Sequence, residues 1–190
     1  MKKFISKFAV AAAILACFAY CTSTSRMGAA GNSLKDAYKN DFLIGTALNT
    51  QQIEERDSKA NALIVQQFNA ITPENIMKAE IIHPEWDRYN FDLADKIVAY
   101  GAKNNMKVNG HTLIWHSQLP QFARRIKDVD SFKTFFTNHI NTVASRYSGK
   151  IFSWDVVNEA LNEDGTMRKS IFLDKMGDGF VTEAFRLAEK

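Results

Sequence analysis

Short apolar runs alternate with amphipathic stretches from about Leu34 onward. Nearly continuous apolar runs are typical of buried strands, whereas apolar residues that recur every three or four positions are typical of helices. Regular alternation of the two predicts βα units around a parallel sheet, and therefore an α/β fold. The four predicted strands are residues 42–47, 69–74, 107–115 and 151–157.

A helical pattern follows each predicted strand. We expect the first two helices to start at the N-cap residues Asp57 and Asp92, and the third to span residues 131–147. His139 lies on the apolar face of the third helix, which favours a core histidine over a ligand. The inward positions predicted for the first helix are Ala60, Leu63, Ile64 and Phe68. Those predicted for the last helix are Phe180, Ala184, Phe185 and Ala188.

Four βα units favour about half of a (β/α)₈ TIM barrel. A complete barrel of this type needs roughly 250 residues, whereas 157 residues follow Ser33. We therefore expect residues 34–190 to form half of a barrel. An open half-barrel would leave an unpaired strand edge, which is unfavourable for a monomer.

The first 21 residues are typical of an export signal. Lys2 and Lys3 precede an apolar run over residues 8–20, which is too short to span a membrane comfortably. We expect a protein that is secreted, periplasmic or lipid-anchored at a bacterial envelope. The run that ends at Cys17 resembles a lipobox, in which this cysteine would be lipidated, and a plain cleavable signal is the alternative. Residues 22–33 are rich in Ser, Thr, Gly and Ala and predict a flexible tether.

Charge and motifs exclude several classes of function. The three lysines of the first 21 residues account for the whole formal net charge of +3, so the body has no basic footprint for nucleic acid. We expect membrane contact only through a lipid anchor. Glycine-rich nucleotide motifs, a Gly-x-Ser-x-Gly elbow and His-Glu-x-x-His are all absent from the sequence, and His111 and His116 fall on opposite faces of a strand. We expect no metal ion and no cofactor.

Polar and aromatic residues cluster where the second, third and fourth predicted strands end. In a barrel these ends share one face, which carries the active site. Carboxylates, amides, a lysine and a tryptophan suit a sugar, because its hydroxyls need donors and acceptors and its ring stacks on aromatics.

Three of these segments resemble the strand motifs of glycoside hydrolase family 10. They are FNAITPENIMK at residues 68–78, GHTLIWHSQLP at 110–120 and WDVVNEA at 154–160. The resemblance implies that residues 34–190 are the N-terminal half of the catalytic barrel. It also implies an endo-1,4-β-xylanase that hydrolyses xylan with retention and that is a monomer when complete. One departure is Phe122, where the family usually has tryptophan after the third motif.

The resemblance also implies a role for each matching residue. Glu159 would be the general acid/base, Asn158 would bind the sugar 2-hydroxyl, and His116 would support the site. The residues that would hold the glycone sugars are Glu74, Asn75 and Lys78, and those beside the cleaved bond are His111, Trp115 and Gln118. The nucleophilic glutamate would lie on a later strand, beyond Lys190, so the chain alone is expected to be inactive.

Alternatives stay open at this point. Asn158 and Glu159 could begin a helix, and Trp86 and Tyr89 could either stack on sugars or close the barrel rim. The chain could be a non-catalytic xylan-binding product or a misfolded truncation. It could also belong to a related retaining glycosidase that acts on β-1,4-glucan.

Overall fold

A parallel four-stranded sheet is the centre of the molecule. The computed structural model describes residues 33–189. The strands lie side by side in chain order and every neighbouring pair is parallel, as the alternating pattern predicts. They are β1 (Gly45–Leu48), β2 (Ala70–Pro73), β3 (Lys107–Trp115) and β4 (Ser153–Asn158).

Strand β3 has its predicted bounds, but β1 and β4 begin later than the apolar runs suggest. Phe42, Leu43 and Phe152 are exposed and precede the strands. Before β1, the backbone N–H of Ile44 donates to the side chain of Asn69, and the ladder then starts with Gly45 opposite Ala70. The hydrophobic run therefore marks each strand, whereas pairing to its neighbour determines where it starts.

Nine helices lie within residues 33–189, and four of them were predicted. The predicted ones are α3 (Ser58–Gln67), α5 (Asp92–Lys103), α7 (Val129–Arg146) and α9 (Phe180–Ala188). The others are short connections, namely α1 (Leu34–Ala37), α2 (Thr50–Ile53), α4 (Ala79–Ile82), α6 (Gln121–Arg125) and α8 (Ile171–Met176). None of these helices is long and apolar enough to cross a membrane.

The predicted start is confirmed for one helix and is wrong for two. Asp57 caps α3 by accepting from the backbone N–H groups of Lys59 and Ala60. The prediction that Asp92 caps α5 is wrong, because Asp92 lies in the first turn and Phe91 is the N-cap. Helix α7 starts before Ser131, because the side chain of Asp128 accepts from the backbone N–H of Ser131.

Two predicted core positions are wrong. Leu63 on α3 and Phe185 on α9 are each about half exposed. Helix α3 buries Ile64, and a residue one position away lies 100° around a helix of 3.6 residues per turn, so Leu63 is on the flank. Helix α9 buries Phe180, Ala184 and Leu187, a spacing that turns Phe185 outward.

The core lies between the sheet and helices α5 and α7. Helix α7 buries an unbroken face that consists of Phe132, Phe135, Phe136, His139, Ile140 and Val143. Burying a large apolar side chain contributes about 1.5–3 kcal/mol, so this face is a main source of stability. Gly101 lets α5 approach β3, because a Cβ there would lie 2.5 Å from Val108 Cγ2.

His139 belongs to this core, as predicted. Its Nε2 donates to the carbonyl of Leu113 in β3, and the Nε2 of His83 donates to the carbonyl of Trp86. The Nδ1 atoms of the two rings lie 3.3 Å apart. Burial lowers the pKa of His83, and it lowers the pKa of His139 to about 3.

Aromatic residues pack around His83. Tyr89 stacks on His83 with ring centres 3.9 Å apart and also on Phe91. Trp86 stays partly exposed and packs edge to face on Phe122, which occupies the position where the family usually has tryptophan. Tyr89 is thus a packing residue, whereas Trp86 keeps an exposed surface.

The export signal, Cys17 and residues 22–32 of the predicted tether lie outside the described residues. Ser33, the last residue of that tether, is buried and accepts a hydrogen bond as the N-cap of α1.

Candidate active site

The site residues predicted from the described part of the chain lie in or after β2, β3 and β4, and all except His111 are at or beyond the carboxyl ends of these strands. The three strands are adjacent and parallel, so their carboxyl ends lie at the same edge of the sheet. At the end of the ladder Trp115 is opposite Asn158, the last residue of β4. Glu74, Asn75 and Lys78 follow β2, His111 and Trp115 lie in β3, His116 and Gln118 follow it, and Glu159 follows β4.

Glu159 is held by side chains from the neighbouring strand. Its Oε2 accepts a hydrogen bond of 3.1 Å from Trp115 Nε1 and lies 3.7 Å from His116 Nε2. The side chain remains about half exposed, so the carboxyl group is oriented and still open to a ligand. The alternative of a helix start is wrong, because the next helix begins only at Ile171.

Lys78 is a buried cation in the centre of the cluster. Only 7% of its surface is exposed, and its Nζ donates to Asn75 Oδ1 at 2.8 Å. Gln118 Nε2 donates to the same oxygen at 3.2 Å, so the amide of Asn75 joins the β2 and β3 loops. Lys78 Nζ also lies 4.5 Å from the ring centre of Trp115, within the range of a cation–π interaction.

The pKa of Lys78 depends on its burial and on two nearby carboxylates. Burial lowers the pKa of Lys78, and the carboxylates of Glu74 and Glu159 act in the opposite direction. A lysine influenced by two acidic side chains is oriented by charge as well as by hydrogen bonds. The ammonium group of Lys78 is therefore held by its hydrogen bond to Asn75 and is subject to the negative charge of two carboxylates.

His111 is anchored to β4 by Asp155. His111 Nδ1 lies 2.8 Å from Asp155 Oδ2, which also accepts a hydrogen bond from Asn109. Because the carboxylate is an acceptor, Nδ1 carries the proton and Nε2 is the nitrogen left for a ligand. Asp155 and Asn109 were not predicted as site residues, although an aspartate inside an otherwise apolar strand is a signal that could have identified one of them.

His116 lies in a mixed electrostatic environment. Burial lowers its pKa, and the neighbouring Glu159 raises it. Two arginines that the motifs did not indicate, Arg124 and Arg168, lower it further. The net effect favours a neutral imidazole beside Glu159 at neutral pH.

This arrangement suits proton transfer to a bound polyol. A carboxyl group with one oxygen fixed can exchange a proton through the other oxygen. Amide, imidazole and ammonium groups around it supply donors and acceptors, and Trp115 provides an aromatic surface. These groups are of the kinds that a sugar ligand needs.

Sequence comparisons agree with the motifs. A profile of "Glycosyl hydrolase family 10" matches residues 33–190. Endo-1,4-beta-xylanase A of Xylanibacter ruminicola is 40% identical over 163 residues, which cover 83% of this chain and 44% of that protein. Beta-1,4-xylanase of Dictyoglomus thermophilum is 40% identical over 155 residues, 80% of this chain and 43% of that protein. The chain thus spans less than half the length of these relatives.

Solved structures give the same result. Xylanase 10B from Thermotoga petrophila, in complex with xylobiose, superposes with a TM-score of 0.78 at 40% identity over 83% of this chain and 49% of that one. A GH10 endoxylanase from a sugarcane soil metagenome gives a TM-score of 0.77 at 41% identity over 82% of this chain and 47% of that one. The four βα units therefore form part of a (β/α)₈ barrel, and the chain belongs to glycosyl hydrolase family 10.

Proposed function

We propose that the protein is a retaining endo-1,4-β-xylanase in which Glu159 is the general acid/base. One observation carries the proposal. The Glu159 carboxyl group stands at the end of β4 with Oε2 held by Trp115, in a family 10 chain whose relatives are xylanases. Its half-exposed side chain is compatible with access to a glycosidic oxygen.

In the proposed mechanism Glu159 acts twice. Retaining glycosidases use two carboxyl groups about 5–5.5 Å apart, one as acid/base and one as nucleophile. Glu159 would protonate the leaving oxygen while the nucleophile attacks the anomeric carbon, and it would then take a proton from the water that cleaves the glycosyl-enzyme. The family resemblance assigns the nucleophile to a later strand, so the proposal concerns the whole protein.

The remaining residues would bind the substrate. Glu74, Asn75 and Lys78 would hold the glycone sugars, a role that the shared hydrogen bonds at Asn75 support by fixing these side chains in advance. His111, Trp115 and Gln118 would line the subsites beside the cleaved bond, and Asn158 would bind the sugar 2-hydroxyl. Solved relatives contain xylobiose or xylotriose, which supports a xylo-oligosaccharide as the ligand.

The stereochemistry of hydrolysis tests this function. The full-length protein, meaning the whole translation product of its gene, is mixed with a xylo-oligosaccharide and followed by proton NMR. We expect the β-anomer to form first and then to mutarotate, because two displacements retain configuration. The same assay on a β-1,4-glucan oligomer should be much slower. Initial formation of the α-anomer, faster hydrolysis of the glucan, or no hydrolysis at all would contradict the proposal.

We further propose that the protein is exported and that Cys17 carries a lipid anchor, because the sequence around this cysteine resembles a lipobox. In a bacterial host grown with labelled palmitate, the wild-type protein should incorporate label and Cys17→Ala should incorporate none. Cys21→Ala is the matched control and should be labelled like wild type. An exported wild-type protein without label would establish a plain cleavable signal instead.

A further inference from the structure

Arg168 closes the loop that follows Glu159. Its Nε donates to the backbone carbonyl of Glu159 at 3.0 Å, and its Nη2 donates to the carbonyl of Leu161 at 3.2 Å. The backbone N–H of Arg168 donates to the carbonyl of Ala160 at 2.8 Å. One residue therefore binds three successive carbonyl groups, beginning with that of Glu159.

The backbone of Glu159 needs such support. Its φ angle is +53°, in the left-handed region that residues other than glycine rarely adopt. A residue stays in this conformation only where its surroundings hold it. Arg168 fixes the carbonyl of Glu159, while Trp115 fixes Oε2 at the far end of the side chain.

The loop itself is a closed hairpin. Leu161 and Met167 form an antiparallel bridge, and the backbone N–H of Asn162 donates to the carbonyl of Thr166 at 2.8 Å. Arg168 stands at the base of this hairpin and lines the same small cavity as Trp115, His116 and Glu159. The side chain of Arg168 thus ties the base of the hairpin back to the backbone of Glu159.

We propose that Arg168 is a positioning residue that holds the left-handed turn at Glu159 and so directs the carboxyl group at the glycosidic oxygen. The inference rests on the proposed function, in which Glu159 is the acid/base. The guanidinium group suits this task, because its planar fork bonds two carbonyl oxygens at once. A lysine at this position keeps the charge but lacks the fork.

The test uses the full-length protein and two aryl β-xylobiosides. Protonation by Glu159 is needed to expel phenol but not to expel 2,4-dinitrophenol, so kcat/KM for the phenyl substrate reports the acid step. We expect Arg168→Ala to lower this kcat/KM by about 30-fold, which is less than the roughly 10²–10⁴ that a general acid contributes in full. The value for the dinitrophenyl substrate should change by less than about 3-fold, and Arg168→Lys should show the same pattern to a smaller degree.

Lys169→Ala is the matched control, because it removes a positive charge from the exposed neighbouring residue. It should leave both kcat/KM values unchanged. An equal loss on both substrates in Arg168→Ala would mean a general structural or binding role, and no loss would mean no role; either result overturns the proposal. A wild-type protein inactive on both substrates would instead refute the proposed function, and the role of Arg168 would fall with it.

Discussion

Replacing Glu159 with alanine in the full-length protein is expected to lower kcat/KM for xylan by about 10²- to 10⁴-fold, which is the contribution of a general acid/base. The loss should be much smaller for 2,4-dinitrophenyl β-xylobioside, because its leaving group departs without a proton. The measurement is kcat/KM on both substrates at a fixed pH. This pattern follows from the proposed role of Glu159 in protonating the glycosidic oxygen.

Two further variants separate the chemistry from the packing of the site. Glu159→Gln keeps an oxygen that can accept from Trp115 Nε1 but cannot deliver a proton, so its loss on xylan should match that of the alanine variant. Glu163→Ala removes an exposed carboxyl group from the loop that follows and should be fully active. Wild-type activity of Glu159→Ala on xylan would rule out this residue as the acid.

The order of strands and long helices was predictable because it depends on local periodicity. Strand β3 and the buried face of α7 follow directly from where apolar residues recur. Their ends were less predictable, because long-range contacts determine them. The side chain of Asn69 binds the backbone before β1 from 25 positions away, and no pattern near Ile44 reveals this contact.

The candidate site also contains residues that the sequence could predict and some that it could not. The residues in the three motifs could be predicted because each motif is contiguous in sequence, reaches the end of a strand and resembles a motif of the family. Arg168 was missed, although it binds the carbonyl of Glu159, because it lies nine positions further on in a polar loop. Its relation to the site exists only once the hairpin has folded. A contact that forms only when a loop folds back on itself leaves no periodic pattern in the sequence.

Replacing Gly110 with alanine is expected to destabilise the protein. Gly110 lies opposite Trp154 in the β3–β4 ladder, and a Cβ there would lie 2.2 Å from Trp154 Cε3 and 2.3 Å from Cζ3. The ring is partly buried against the core and has Tyr147 as an aromatic neighbour, so it cannot swing away freely. We expect the free energy of unfolding to fall by about 1–3 kcal/mol, as in other overpacked cores. Urea denaturation of the full-length protein measures the change.

The control for this substitution is Gly179→Ala. A Cβ at Gly179 would meet no atom within 4 Å, and its φ of −62° suits any residue, so the free energy of unfolding should change by no more than about 0.5 kcal/mol. If Gly110→Ala left the free energy of unfolding equally unchanged, Trp154 would not pack closely against Gly110, and the prediction would fail.

Because β3 carries Trp115 and β4 leads into Glu159, a ring displaced from Gly110 should also shift these two residues apart. Xylan hydrolysis should therefore decline in Gly110→Ala under conditions where most of the protein is still folded, and it should not decline in Gly179→Ala.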